Sequence, residues 1–318
     1  MQVFGESLGV EAAQQARTAE REGFDGLVAV DHFFSGRAPS TPRWRVEPMV
    51  ALGAAAAATT RITLAAMVMN VNFHHPAVIA HAMASLQELS GGRAELGLGA
   101  GWYAPEHLSF GLPWGDSASR TERLLESAAV CRAMLEHRGM VMHRGAHFHV
   151  QNEVPWDWGG AGHTVPVVIG AAREKLLYRA AEVANRVDLL HVSVDGAPMV
   201  DEAHGRSADR VEQLLHGVHL RAAAAGNSIK VSATLTAVIV PAADSAAVRE
   251  RLAPSLHSAP ELLERDLLYV IGSQEELLRR IEALAALGVD RVHVIPGQPN
   301  PRRSLDAVRE LLTDIQGL

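Results

Sequence analysis

The sequence predicts a parallel α/β fold, most economically one (β/α)8 barrel forming a single domain over residues 1–318, with an open doubly wound sheet as the alternative. Three observations carry this expectation. Residues 61–103 read strand, helix, strand: a β-rich run at 61–68, a helical pattern at 75–90 and a second β run at 93–98. The connection is long enough for a parallel crossover. The same alternation recurs along the chain to a count close to eight. Finally, both strands of that unit lead into loops of unusual composition, Asn70-Val71-Asn72-Phe73-His74-His75-Pro76 and Gly97-Leu98-Gly99-Ala100-Gly101-Trp102-Tyr103. In parallel α/β folds chemistry gathers at the carboxyl ends of strands, so these loops should open side by side on one face.

Taken in order, a short strand at 2–6 precedes an amphipathic helix at 10–22, stopped by Gly23. A strand at 26–31 ends in Asp31-His32-Phe33-Phe34, and a loop bearing Pro and Arg follows at 35–45. The helix at 47–60 is nearly all small residues, suited to close packing on a sheet. After the 61–103 unit comes a loop at 102–117 rich in Gly, Pro and aromatics, then a helix at 119–137 with Ser119 as its expected N-cap. Alternation around Arg144-Gly145 predicts a β-hairpin at 139–150, outside the main repeat. A buried strand at 165–169 runs through Gly170-Ala171-Ala172-Arg173 into a helix at 174–185. Strands at 187–192, 230–240 and 289–295 alternate with helices at 207–225, 274–287 and 304–315. Pro254 and Pro260 split a helical insertion at 243–266.

Composition narrows the function classes. Hydrophobic residues are 48% of the 318, ample for a core. No apolar run is long enough to span a bilayer and Met1 opens no signal peptide, so a cytoplasmic protein is expected. Cys131 is the one cysteine, which excludes an internal disulfide and a thiolate metal cluster. The net charge is −7 and the 29 basic residues are dispersed, so no nucleic-acid groove is expected. Only Lys175 and Lys230 among them are lysines; with alanine-rich helices, that skew suggests a GC-rich genome.

Several motifs bear on chemistry. The 97–101 run lacks the spacing and helix context of a dinucleotide fingerprint. Its glycines allow either close backbone approach to an anion or flat ring, or simply a tight turn after a buried strand. Gly170–Arg173 stands between strand and helix, where free N–H groups can hold a phosphate; an ordinary turn is the alternative. Asp31 can fix the tautomer of His32, and His32 can take up or release a proton near neutral pH. His74, His75, His143, His147 and His149 bring no converging carboxylate, so no metal is expected. His191 and Ser193 end a strand and could line the mouth.

The runs Val30-Asp31-His32-Phe33, Ala58-Thr59-Thr60-Arg61-Ile62, His75-Pro76-Ala77-Val78, Leu89-Ser90-Gly91-Gly92-Arg93 and Leu96-Gly97-Leu98-Gly99-Ala100-Gly101-Trp102 occur in that order. Together they resemble the bacterial luciferase-like superfamily, and within it the branch of oxidoreductases using the deazaflavin coenzyme F420. The resemblance continues through Pro166–Gly170 and the stretches 270–273 and 288–290. It implies a TIM barrel with the cofactor in its carboxyl-end mouth. It further implies a bulge near Met67-Val68, with a non-proline cis peptide, backing the cofactor ring. Asp31, His32, Asn70, Gly99, Ala100, Gly101 and Trp102 would complete the ring side, and Gly170, Ala171, Ala172 and Arg173 the tail side. One departure stands out: Trp102 occupies the position where sugar-phosphate dehydrogenases of that branch carry a glutamate acid, which puts glucose 6-phosphate in doubt as substrate.

The expected function is therefore hydride transfer between F420 and a small organic substrate, with His32 and Asp31 handling the proton. An FMN-dependent monooxygenase is the alternative, and a non-catalytic flavin-binding barrel a third. F420 carries a phosphodiester and a polyglutamate chain, for which Arg37, Arg43, Arg45 and Arg173 on the mouth loops could offer a cationic exit. The apolar circumference of the helices at 47–60 and 75–90 predicts a homodimer.

Overall fold

The computed structural model describes residues 2–7, 9–35, 43–136, 139–158, 164–190, 206–256, 258–297 and 301–316. Eight parallel strands close on themselves: β1 (Gln2–Ser7), β2 (Gly26–Ala29), β3 (Thr63–Asn70), β4 (Ala94–Gly99), β5 (Val167–Ala171), β6 (Arg186–Leu190), β7 (Lys230–Ile239) and β8 (Arg291–Pro296). Each pairs with the next in chain order, and β8 returns to β1 through Gln2↔Arg291 to Phe4↔His293. The closed barrel, not the open sheet, is the fold. A further strand, Tyr269–Gly272, lies beside the second half of β7, where β6 has ended.

β2, β3 and β5 read as near-continuous apolar runs because helices cover one face and the barrel interior the other; all six residues of β4 are buried. Two polar clusters cross the interior. Near the amino end, Glu95 of β4 pairs with Arg291 of β8. Beyond it, Asp188 of β6 accepts from the hydroxyls of Ser232 and Thr234 at 2.6 Å each and faces His293 Nδ1 at 3.3 Å. Complete burial pushes the Asp188 carboxyl up, but the His293 charge and these hydrogen bonds outweigh it and hold it below the usual range.

Most expected helices are present. Pro76–Ser90 opens with Pro76, takes a cap from His75, whose ring accepts the Ala77 N–H at 3.2 Å, and closes at Gly91. The next long helix, Ser117–Glu136, starts earlier than expected. Asp116, not Ser119, caps it, accepting the Ser119 N–H at 2.7 Å; a carboxylate three residues ahead reaches the free amides that Ser119, already inside the first turn, cannot. The hairpin Met142–Arg144 with His149–Gln151 and the insertion helices Ser245–Leu252 and Pro260–Arg265 match expectation.

Two loops hold more structure than the sequence reading allowed. The 35–45 loop carries the antiparallel pair Phe34–Ser35 and Arg43–Trp44. The 102–117 loop contains a helix, Ala104–Phe110. Among the described residues no helix is long and apolar enough to cross a membrane.

Candidate functional site

The expected site residues lie at the carboxyl ends of four consecutive strands, β2 to β5. Asp31 and His32 follow β2. The Asp31 carboxylate does not touch His32 through any hydrogen bond described; its Oδ2 accepts the Asn70 backbone N–H at 2.8 Å and faces His74 Nε2 at 3.0 Å. The expected Asp31–His32 partnership is thus corrected: the Asp31 carboxylate is engaged by Asn70 and His74 instead. Burial lowers the His74 pKa, but the bond and charge of Asp31 outweigh it and leave it raised.

His32 finds its carboxylate elsewhere. Its Nδ1 lies 2.7 Å from Oε2 of Glu106, on the helix Ala104–Phe110. Oε1 of the same side chain accepts the N–H groups of Phe33 at 2.6 Å and Phe34 at 3.2 Å. Glu106 is 1% exposed. Burial pushes its carboxyl up, yet His32 and the two amides prevail and hold it below the usual range. The next residue, His107, is fully buried; its Nδ1 donates to the Pro113 carbonyl at 2.6 Å and its Nε2 accepts from Asn70 Nδ2 at 3.1 Å. Burial, opposed by the Pro113 bond, lowers its pKa. One short helix therefore keys onto the exits of both β2 and β3.

Sequence reasoning missed Glu106 and His107 because they lay in an assumed loop. The signal was present: Pro105 just inside the helix start and Gly111, at φ 65°, just past its end.

The expected bulge is present. Register shifts between Ala66 and Met69 where β3 pairs with β4, and the Met67-Val68 peptide is cis. Facing it, Gly97 and Gly99 leave no room for a side chain: a Cβ at Gly97 would meet the Met67 sulfur and the Ala66 carbonyl, and one at Gly99 would lie 2.5 Å from Val68 Cγ2. These glycines receive the bulge. Gly101, at φ 74°, packs on the Asn70 amide, which a Cβ would approach at 2.9 Å. Asn72 ties the two exits together, donating to the Ala100 carbonyl at 2.8 Å. Trp102 stands edge-on to His32, ring centres 5.8 Å apart.

Gly170 and Ala171 end β5 and Ala172 turns the chain. Arg173 is the N-cap of helix Glu174–Val183; its side chain makes no capping bond, and its carbonyl accepts the N–H groups of Leu176 at 3.1 Å and Leu177 at 3.0 Å. Arg206, 3% exposed and unforeseen from sequence, donates to the carbonyls of Ala172 and Leu190, bracing this turn against β6. Arg37, His191 and Ser193 lie outside the described residues. A cavity of about 570 Å³ at the end of β7, lined by Pro241, Ser273 and Arg303 among others, shares no residue with this cluster.

A family model described as luciferase-like monooxygenase matches residues 9–291. The chain belongs to this family. An F420-dependent glucose-6-phosphate dehydrogenase of Beutenbergia cavernae is 38% identical to this luciferase-like chain over 122 residues, covering 36% of it and 34% of the relative. A protein of the same name from Microbacterium testaceum is 28% identical over 216 residues, covering 62% and 60%. Neither match reaches two thirds of the relative's own length. Among solved structures, an F420-dependent secondary alcohol dehydrogenase in complex with an F420–acetone adduct superposes with a TM-score of 0.75 at 18% identity, covering 97% of each chain. At that identity the likeness speaks for the shared barrel.

Proposed function

We propose that this luciferase-like chain, acting as one domain and as a cytoplasmic homodimer, is an oxidoreductase transferring hydride between coenzyme F420 and a small organic substrate. One observation carries the reading: an imidazole, His32, stands at the barrel mouth with one nitrogen on a buried carboxylate and its side chain 26% exposed. The names of the two dehydrogenase relatives support the deazaflavin.

The residues present fit such a cofactor. The start of helix Glu174–Val183, where the macrodipole is positive, with Gly170, Ala171, Ala172 and Arg173, suits an anionic tail. Met67, Val68, Asn70, Gly99, Ala100 and Gly101 would hold the ring, with Trp102, Asp31 and His32 beside it. When bound, the deazaflavin supplies a two-electron hydride acceptor or donor. His32 takes up or releases the accompanying proton at the substrate. Asp31 keeps the β3 exit in place through Asn70. Trp102 walls one side of the imidazole.

The test is equilibrium titration of the purified protein with oxidised F420 and with FMN, followed by fluorescence. Tighter binding of F420 is expected. Tighter binding of FMN, with oxygen uptake during turnover, would overturn the reading in favour of the monooxygenase chemistry that the family's description names.

A further inference from the structure

We propose that Glu106 is a positioning residue for His32: its carboxylate fixes the imidazole as the Nδ1–H tautomer, leaving Nε2 as the nitrogen that exchanges a proton at the barrel mouth. The proton role of His32 rests on the function proposed above; the tautomer claim does not.

The geometry is specific. Glu106 Oε2 lies 2.7 Å from His32 Nδ1, a distance at which one of the two must carry the proton. Oε1 is already occupied by the N–H groups of Phe33 and Phe34. Those amides can only donate, so they favour the ionised carboxylate and stop it rotating. An ionised carboxylate only accepts; the shared proton therefore sits on Nδ1, and the Nε2 lone pair is free. The support itself is rigid: His107 anchors the same helix through Asn70 and Pro113. The other carboxylate near this exit, Asp31, is engaged by Asn70 and His74.

Proton uptake at Nε2 converts the ring to an imidazolium whose Nδ1–H stays bonded to Glu106. One positive charge then faces one negative charge, and no proton passes to the carboxylate. Loss of that proton from Nε2 restores the starting state. The cycle needs no other group to change protonation.

Glu106→Gln tests this directly. The two backbone N–H groups hold the amide oxygen, so the amide N–H₂ faces Nδ1 and makes it an acceptor. The ring must then carry its proton on Nε2, the wrong tautomer for a base. Nitrogen-15 NMR of ¹⁵N-histidine protein without cofactor, at mildly alkaline pH, reads the tautomer. Nδ1–H is expected for the native chain and Nε2–H for the variant. In turnover assays the variant should lose roughly 10²–10⁴-fold in kcat, with KM and F420 affinity little changed. A native ring in the Nε2–H form overturns the proposal whether or not the variant folds. So does a variant whose tautomer flips while kcat is retained. Failure to bind F420 would defeat the proposed function yet leave the tautomer result to stand or fall alone.

Discussion

The carboxylate of Asp31 holds the backbone N–H of Asn70 at 2.8 Å and so locks the exit of β2 to the exit of β3. The same oxygen faces His74 Nε2 at 3.0 Å. Asp31→Ala leaves a buried N–H unpaired, which costs about 1–3 kcal/mol. Part of the loss depends on pH. The His74 pKa is raised in the folded protein, so its stabilisation is fully present below the ordinary histidine value of 6.5 and is lost as pH rises through the raised value. Urea midpoints of native and variant proteins should therefore differ more at mildly acidic than at alkaline pH. An equal difference throughout would remove His74 from the account.

His32→Ala should lower turnover roughly 10²–10⁴-fold, the size of a lost general acid or base, with F420 affinity little changed. Single-turnover kinetics and a binding titration separate the two. Retained turnover would move the proton role elsewhere, with Asp31, or Tyr103 at the exit of β4, next in line.

The glycines make a different prediction. Gly97→Ala would press on the Met67 sulfur, which can move, and on the Ala66 carbonyl, which cannot without shifting β3. A destabilisation of about 1–3 kcal/mol is expected from such overpacking, read as a lower urea midpoint. Gly101→Val should abolish cofactor binding, because a β-branched residue is strained at φ 74° and meets the Asn70 amide. A Gly101→Val protein that folds and binds F420 normally would exclude this backbone from the cofactor site.

Val50, Val78 and Leu89 are 65%, 61% and 77% exposed on the adjacent helices Pro48–Ala58 and Pro76–Ser90. Their exposure favours coverage of this face by a second copy of the chain. Light scattering at micromolar concentration should give a dimer mass, and Val78→Glu should shift the population towards monomer. A native monomer would leave the face uncovered by self-association.

Periodicity, caps and loop composition were enough to place the alternating strands and helices, the outer hairpin and the split insertion, because those are local properties of the chain. The side-by-side opening of the β3 and β4 loops followed from the parallel crossover alone. The resemblance to the luciferase-like family placed the bulge at Met67-Val68. Closure of the ring needed the tertiary structure, since the pairing of Gln2 with Arg291 joins strands from opposite ends of the chain that no local pattern links. So did the partner of His32. Sequence adjacency suggested Asp31, but Asp31 is engaged by Asn70 and His74, and Glu106 arrives from 74 residues away on a helix of about two turns hidden among glycine, proline and aromatics. The sequence alone singled out His32 as a group able to carry a proton; the folding of β4's exit helix onto β2 decided which carboxylate it meets, because a hydrogen bond depends on distance and direction in space rather than on separation along the chain.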